Sequence, residues 1–509
     1  MLLAELTRTS ARVASRSARL EKVAALAEIL RRTDPHEAKA AVAFLTGEQR
    51  QRQIGVGHRS LRDLPHPAER ETLTLTEVDD AFSRIKAITG AGSVGARRAA
   101  LVDLFGRATG DEQAFLVRLL TGELRQGALD GVMVDAIAAA TGIPVASVRR
   151  AHMLRGSLIE VAATGLSGGR PALDAYRLAV GHALSPMLAA SAPDVTAAFA
   201  KVGEAGVEWK LDGIRVQVHR DGTDVSVFTR SLDDITARVP ELTDAARTLP
   251  GRRFVLDGEA IALREDGRPQ PFQVTAARTG SSADVAAVRD RTPLRAYFFD
   301  VLHLDGTDLL DAPLRERYAA LDGLVPGELR VPRIRTDSVA EATAYFADAV
   351  ERGHEGVVIK SLDAPYAAGR RGSGWIKVKP RYTLDLVVLA AEWGHGRRKG
   401  RLSNLHLGAR DAENGGFVML GKTFKGLTDE LLTWQTERFL ELATSPADQW
   451  TVHVRPELVV EIAFDGVQRS PRYPGGLALR FARVLRYRPD KRANDADTFD
   501  AVRALAAAD

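Results

Sequence analysis

The chain has no cysteine, which excludes disulfides, four-cysteine zinc sites and thiol chemistry and suits a reducing interior. Long apolar runs are also missing: no stretch approaches the roughly 20 residues that cross a bilayer. The first segment carries Arg and Ser but also Glu5 and Glu21 and has no continuous apolar centre, so no signal peptide is expected and the expected location is cytoplasmic. Lysine is scarce, at 12 of 70 basic residues, the other 58 being arginine. Against 66 acids this leaves a net charge of only +4, so any polyanionic partner must be argued from where the charges lie. What remains is ordinary globular material, 45% hydrophobic and 27% charged. At roughly 100–200 residues per domain it is long enough for about three domains.

Residues 1–185 read as a helical domain, with Leu20, Val23, Ala24, Ala27 and Leu30 at helical spacing. A shift of 75 positions lays Leu26 to Gln51 on Leu101 to Gln126, matching a Thr-Gly-Glu run and the Arg-Gln two residues beyond it. Two similar units imply a pseudo-twofold helical domain rather than a solenoid, with loops that present Arg50 and Arg125 from equivalent places. After the breaks at Ser167 to Pro171, Pro186 and Pro193, alternation replaces helical spacing. Val216 and Val218, then Val225 and Val227, flank Asp221-Gly222, a hairpin signal. Further strands are expected at Phe254 to Leu256, Tyr297 to Leu302, Gly356 to Lys360 and Trp375 to Val378, with a helix at Val339 to Glu351. Residues 186–382 therefore read as an α+β domain with antiparallel sheets. Residues 383–509 follow a break expected at Pro380 to Leu384. Strands at Leu386 to Ala391, Leu405 to Ala409, Phe417 to Leu420, Leu458 to Phe464 and Leu479 to Tyr487, with one helix at Asp429 to Leu442, suggest an OB-fold β-barrel.

The segment Glu208-Trp-Lys210-Leu-Asp-Gly-Ile-Arg215 carries the pattern KxDGxR. Alone, a lysine before a glycine turn is most often a solvated hairpin residue. Here it is followed in order by Arg230 in FTRSLDD, Asp257-Gly-Glu259, Phe298-Phe-Asp300, Glu355-Gly-Val-Val-Ile-Lys360, Trp375-Ile-Lys377-Val-Lys379 and Arg480 to Lys491. This ordered set resembles the motifs of the ATP-dependent DNA ligases, within the covalent nucleotidyltransferases. LTGELRQG followed by DGVMVDAIA resembles the helical DNA-binding domain of the larger members.

The resemblance implies a monomeric enzyme that seals nicked duplex DNA with ATP and Mg²⁺, in DNA replication, repair or recombination. Lys210 would be the nucleophile, forming Lys-AMP. An arginine could not take that role, because it does not lose its proton in a protein whereas a lysine can. The 5′-phosphate of the nick would take the AMP, and the 3′-hydroxyl would then displace it. By the same resemblance Glu208 reads the adenine edge, Phe299 stacks on the base, and Arg215, Arg230 and Glu259 engage the ribose and phosphates. Arg371 helps hold the nucleotide. Lys377 and Lys379 contact the α-phosphate and depress the Lys210 pKa by like-charge repulsion. Glu259 and Glu355 are the expected Mg²⁺ carboxylates. Arg486 or Lys491 would orient the pyrophosphate when the last domain closes as a lid.

For Asp257 and Asp300 a structural role as loop caps is expected. Alternation puts one of Phe298 and Phe299 in the core, and Phe299 is expected in the pocket. Nine basic residues and two acids between Ala368 and Arg401, interleaved with Trp375 and Trp393, suit phosphate-backbone contacts. Gly416 to Thr423 satisfies the phosphate-loop pattern, yet its Phe-Val-Met-Leu centre reads as a buried strand. An RNA ligase or capping-type nucleotidyltransferase shares the core motifs, and a non-catalytic DNA-binding scaffold is the other alternative. The helical region argues against the first and the intact Lys210, Glu259, Glu355, Lys377 and Lys379 against the second.

Overall fold

The structure, a computed structural model, describes residues 1–124, 126–127, 130–280, 285–368, 374–447 and 450–508. Arg125 and Arg371 lie outside the described residues. The first region is helical throughout: α1 Leu3–Ser15, α2 Arg19–Arg32, α3 Ala38–Thr46, α4 Leu75–Ala87, α5 Ser93–Gly106, α6 Gly110–Leu120, α7 Asp130–Thr141, α8 Val145–Arg155 and α9 Leu158–Asp174. Thr74 with Glu77, and Thr109 with Glu112, form capping boxes that start α4 and α6 by satisfying backbone N–H groups. One core containing Leu26, Phe44, Phe82, Phe115 and Ile137 runs through the region.

The 75-residue repeat is a repeat of structure, with α2 matching α5 and α3 matching α6. In each unit the closing helix ends on a left-handed glycine, Gly47 (φ 83°) or Gly122 (φ 71°). Glu48 N–H then donates to Ala43 O and Glu123 N–H to Arg118 O, each at 2.8 Å. Beyond these turns two buried glutamines lock the units together. Gln51 donates to Asp79 Oδ1 and Ser83 Oγ of α4, each at 2.9 Å, while Gln126 donates to Leu45 O and accepts from Ser10 of α1. Each unit thus anchors its turn on the first helix of the other. Arg50, at the turn of the first unit, is paired with Asp79 at 2.5 Å. The break anticipated at Ser167 to Pro171 is a kink at Gly169 inside α9.

The central region has two five-stranded sheets. The first runs β1-β10-β9-β2-β8, from β1 Ala190–Ser191, β2 Ala205–Trp209, β8 Arg333–Thr336, β9 Val357–Ser361 and β10 Trp375–Val378, and only β1 pairs parallel. The second is antiparallel and runs β4-β3-β5-β6-β7, from β3 Ile214–Asp221, β4 Asp224–Thr229, β5 Arg253–Ala262, β6 Leu294–Leu304 and β7 Thr307–Asp308. The expected hairpin is the β3–β4 turn, and a helix spans Val339–Glu351.

In the C-terminal region, β11 Tyr382–Trp393, β12 Leu402–Arg410, β13 Phe417–Thr423, β14 Thr451–His453, β15 Val459–Phe464 and β18 Arg483–Tyr487 form an antiparallel sheet. A hairpin of β16 Gly466–Arg469 and β17 Leu477–Arg480 stands beside it. Among the described residues these pairings follow an open path rather than a closed ring. The phosphate-loop pattern falls on β13, with Leu420 fully buried, and so presents no nest of N–H groups. The break between the last two regions is shorter than expected, because Tyr382 and Leu384 already pair with Phe464 and Ile462.

Candidate active site

Between the two central sheets lies a cavity of about 1030 Å³. Glu208, Lys210, Arg215, Arg230, Glu259, Phe299, Glu355, Lys377 and Lys379 all line it. Strand alternation turns Glu208 and Lys210 of the β2 edge to the same side. Lys210 N–H donates to Gly356 O at 2.8 Å and Glu355 N–H to Lys210 O at 2.9 Å, which extends the β2–β9 ladder and sets Lys210 beside Glu355. Two glycines allow this. A Cβ on Gly213 would lie 2.3 Å from Ala260 O, and one on Gly356, at φ 124°, 2.2 Å from Val378 O.

Two lysine–glutamate pairs share this wall. Lys210 and Lys379 both bind Glu355, one at each carboxylate oxygen, and Lys379 also reaches Asp465 of the C-terminal region at 3.2 Å. Burial would raise the Glu355 carboxyl, but the two ammonium groups outweigh it and hold it below its ordinary value. Burial would likewise lower Lys379, but Glu355 and Asp465 together raise it. Lys379 was expected to press on Lys210 as a like charge. Instead, Glu355 lies between the two and takes both.

In the second pair, Lys360 lies 2.5 Å from Glu208, with side chains 2% and 3% exposed. Tyr318 OH donates to the other Glu208 oxygen at 2.6 Å. Lys360 Nζ sits 4.4 Å from the ring centre of Phe299 and 4.1 Å from that of Trp375, in cation–π range. Burial lowers the Lys360 pKa against the pull of Glu208. The Glu208 carboxylate is therefore already engaged.

Phe298 is fully buried, whereas Phe299 lines the cavity. The register explains how neighbours differ: Asp257 pairs with Asp300 and Gly258 with Phe298, so Phe299 is the extra residue of a bulge and is re-aimed by it. Arg215 lines the cavity from β3. Its guanidinium is held by Asp257 at 2.9 and 2.6 Å and donates to Met187 O at 2.6 Å. Asp257 and Asp300 are structural, but as buried ion-pair partners of Arg215 and Arg317 rather than as loop caps. The Glu259 carboxylate has no hydrogen-bond partner among the described residues. Burial pushes its carboxyl up to about 7, against the lowering effect of Lys210 and Arg215.

From the C-terminal region the cavity receives Arg480 and Phe481. Arg480 pairs with Asp212 at 3.2 Å. Arg486 and Lys491, expected at the nucleotide, instead bind Glu461 and Asp385 of their own region, each at 2.6 Å. Lys360 and Arg480 stood in the motifs without a role. Tyr318 and Asp465 stood outside them, and only the fold brings them to this wall.

A helical region, two sheets around a lysine-lined cavity and an antiparallel C-terminal sheet have the organisation of a multidomain nucleotidyltransferase. Comparison with known families narrows this. The ATP dependent DNA ligase domain matches residues 186–379, the ATP dependent DNA ligase C terminal region 398–491 and the DNA ligase N terminus 63–138. The chain is 59% identical over 516 residues to a probable DNA ligase of Beutenbergia cavernae, covering 99% of this chain and 100% of that protein. It is 58% identical over 512 residues to one of Mycobacterium marinum, with the same coverage. The solved structure Pmar-Lig_Pre superposes with a TM-score of 0.63 at 18% identity over 95% of this chain and 99% of that one, a likeness of fold. The chain belongs to the ATP-dependent DNA ligase family.

Proposed function

We propose that this enzyme seals 5′-phosphate/3′-hydroxyl nicks in duplex DNA, with Lys210 as its nucleophile and ATP as its cosubstrate. The observation that carries the reading is the Lys210–Glu355–Lys379 cluster at the wall of a cavity large enough for a nucleotide. Glu355 accepts a hydrogen bond from Lys210 and orients its amine in the cavity, placed to attack once it has lost its proton. The freed amine attacks the α-phosphorus of ATP, pyrophosphate leaves, and a phosphoramidate bond holds AMP on Lys210. An oxygen of the 5′-phosphate then attacks the same phosphorus and Lys210 leaves. Finally the 3′-hydroxyl attacks the 5′-phosphate and AMP leaves. Lys377 and Lys379 supply positive charge at this wall, Phe299 an aromatic face for the base, and Arg230 an exposed guanidinium. Arg371 belongs to the same proposed set.

The unpartnered Glu259 carboxylate fits a hard cation, and Glu355 offers a second carboxylate on the same cavity. These two would hold Mg²⁺, which when bound would neutralise phosphate charge. We assign residues 1–185 to DNA binding, 186–382 to adenylation and 383–509 to a mobile lid, acting as a monomer inside the cell. The test is label transfer from α-labelled ATP or GTP with Mg²⁺, after discharging the protein with pyrophosphate. Label from ATP and preferential sealing of a nicked DNA duplex over a nicked RNA duplex are expected. Label from GTP alone, or sealing of RNA as well as DNA, would overturn the reading.

A further inference from the structure

Among the described residues, one of the helical region lines the Lys210 cavity, and it is not Arg50, one of the two arginines the repeat points to. Arg52 lines the cavity together with Arg230 and Arg238. It sits just beyond a turn that is firmly fixed. Gln51 is hydrogen-bonded to Asp79 and Ser83, its carbonyl accepts from Lys86 Nζ at 2.7 Å, and Arg50 is paired with Asp79. Arg52 itself is exposed and has a left-handed backbone, φ 58°.

The repeat shows what is unusual here. The 75-residue shift puts Arg52 on Gly127, which is also left-handed at φ 71°. Both units therefore need the left-handed conformation at this position. One unit fills it with glycine, which adopts it freely, and the other with arginine, which adopts it at a cost of order 1 kcal/mol. Strain kept at one copy of a duplicated turn, with the side chain at a cavity, directs attention to what that side chain does. Among the described residues the Arg52 and Arg230 guanidiniums have no carboxylate partner. Two such groups, delivered from different regions to one cavity, suit a phosphoryl group.

We propose that Arg52 is the helical region's own phosphate ligand in the Lys210 cavity, coupling the seating of that region to the chemistry. The proposal rests on the ligase reading above. A phosphate at this end belongs either to ATP or to the nicked strand, and the three reaction steps separate the two.

The variants are Arg52→Gly, which keeps the backbone and removes the guanidinium, and Arg52→Lys, which keeps the charge. Self-adenylation is measured over a range of ATP concentrations, AMP transfer from charged enzyme to nicked DNA at saturating DNA, and closure of a pre-adenylated nick. We expect Arg52→Gly to slow at least one step about tenfold or more, with partial recovery in Arg52→Lys, as for a lost charge-assisted contact. A loss confined to the DNA steps assigns the phosphate to the nicked strand, and a raised KM for ATP assigns it to the nucleotide. Arg52→Gly within twofold of wild type in all three steps overturns the proposal. Wild type that fails to take label from ATP overturns the ligase reading instead.

Discussion

The two lysine–glutamate pairs on the cavity wall use the same residue types for different ends, with Glu208 and Lys210 only two positions apart at the edge of β2. Glu208–Lys360 is closed off: both side chains are under 4% exposed, Tyr318 fills the remaining carboxylate oxygen, and two aromatic rings cover the ammonium. Lys210–Glu355 is half-open, at 23% and 16% exposure, and its glutamate is shared with Lys379. An ion pair fully removed from water is expensive to break, because the surviving partner is left as an uncompensated charge. One that touches solvent can exchange partners at little cost. The closed pair therefore fixes the shape of the wall, and the open pair is the one placed to exchange partners.

The largest expected effect breaks the open pair. Lys210→Arg preserves the charge opposite Glu355 but offers no amine that can lose a proton, so self-adenylation should fall below detection, while thermal stability shifts by less than about 1 kcal/mol. Next comes the closed pair. Glu208→Gln or Lys360→Met alone should cost about 3–5 kcal/mol in denaturant unfolding, and the double variant should recover much of that. Additive losses would show that the two residues are not a coupled unit.

Removing residues 1–185 leaves both pairs in place but takes Arg52 with it, so self-adenylation should persist at saturating ATP, whereas affinity for nicked duplex should drop about tenfold or more with the loss of phosphate contacts. Unchanged nick affinity would mean that the helical region is not the DNA-binding one. The smallest effect concerns the proton on Glu259. Its carboxyl rises from 4.5 to about 7 in the folded state, so the protonated form favours folding. That contribution is complete below about 4.5 and is lost as pH rises through about 7. Glu259→Gln, which imitates the protonated acid, should therefore gain Tm relative to wild type as pH goes from 5 to 8. A difference that stays flat would contradict the shift.

Local signals were readable in the chain where local physics decides the outcome. Apolar spacing marked the helix at Val339–Glu351, Asp221-Gly222 marked its hairpin, and the 75-residue shift marked a repeat that the turns at Gly47 and Gly122 reproduce. Long-range choices were not readable. Nothing near Glu208 announces Tyr318 or Lys360, and nothing near Arg215 announces that Asp257 will capture it. Leu479 to Tyr487 reads as one strand, but Phe481 at φ 55° splits it and turns Arg480 and Phe481 to the cavity. Arg52 is another left-handed residue of this kind, and it lines the cavity while Arg50 is paired with Asp79.

The most direct test of the central claim, that Lys210 carries the adenylate, compares wild type with Lys210→Arg. Both proteins are discharged with pyrophosphate, incubated with Mg²⁺ and α-labelled ATP, denatured and digested. Label on the peptide containing Lys210 in wild type, and none anywhere on a folded Lys210→Arg protein, is the predicted result. Label retained by Lys210→Arg, or found on a wild-type peptide without Lys210, would contradict it.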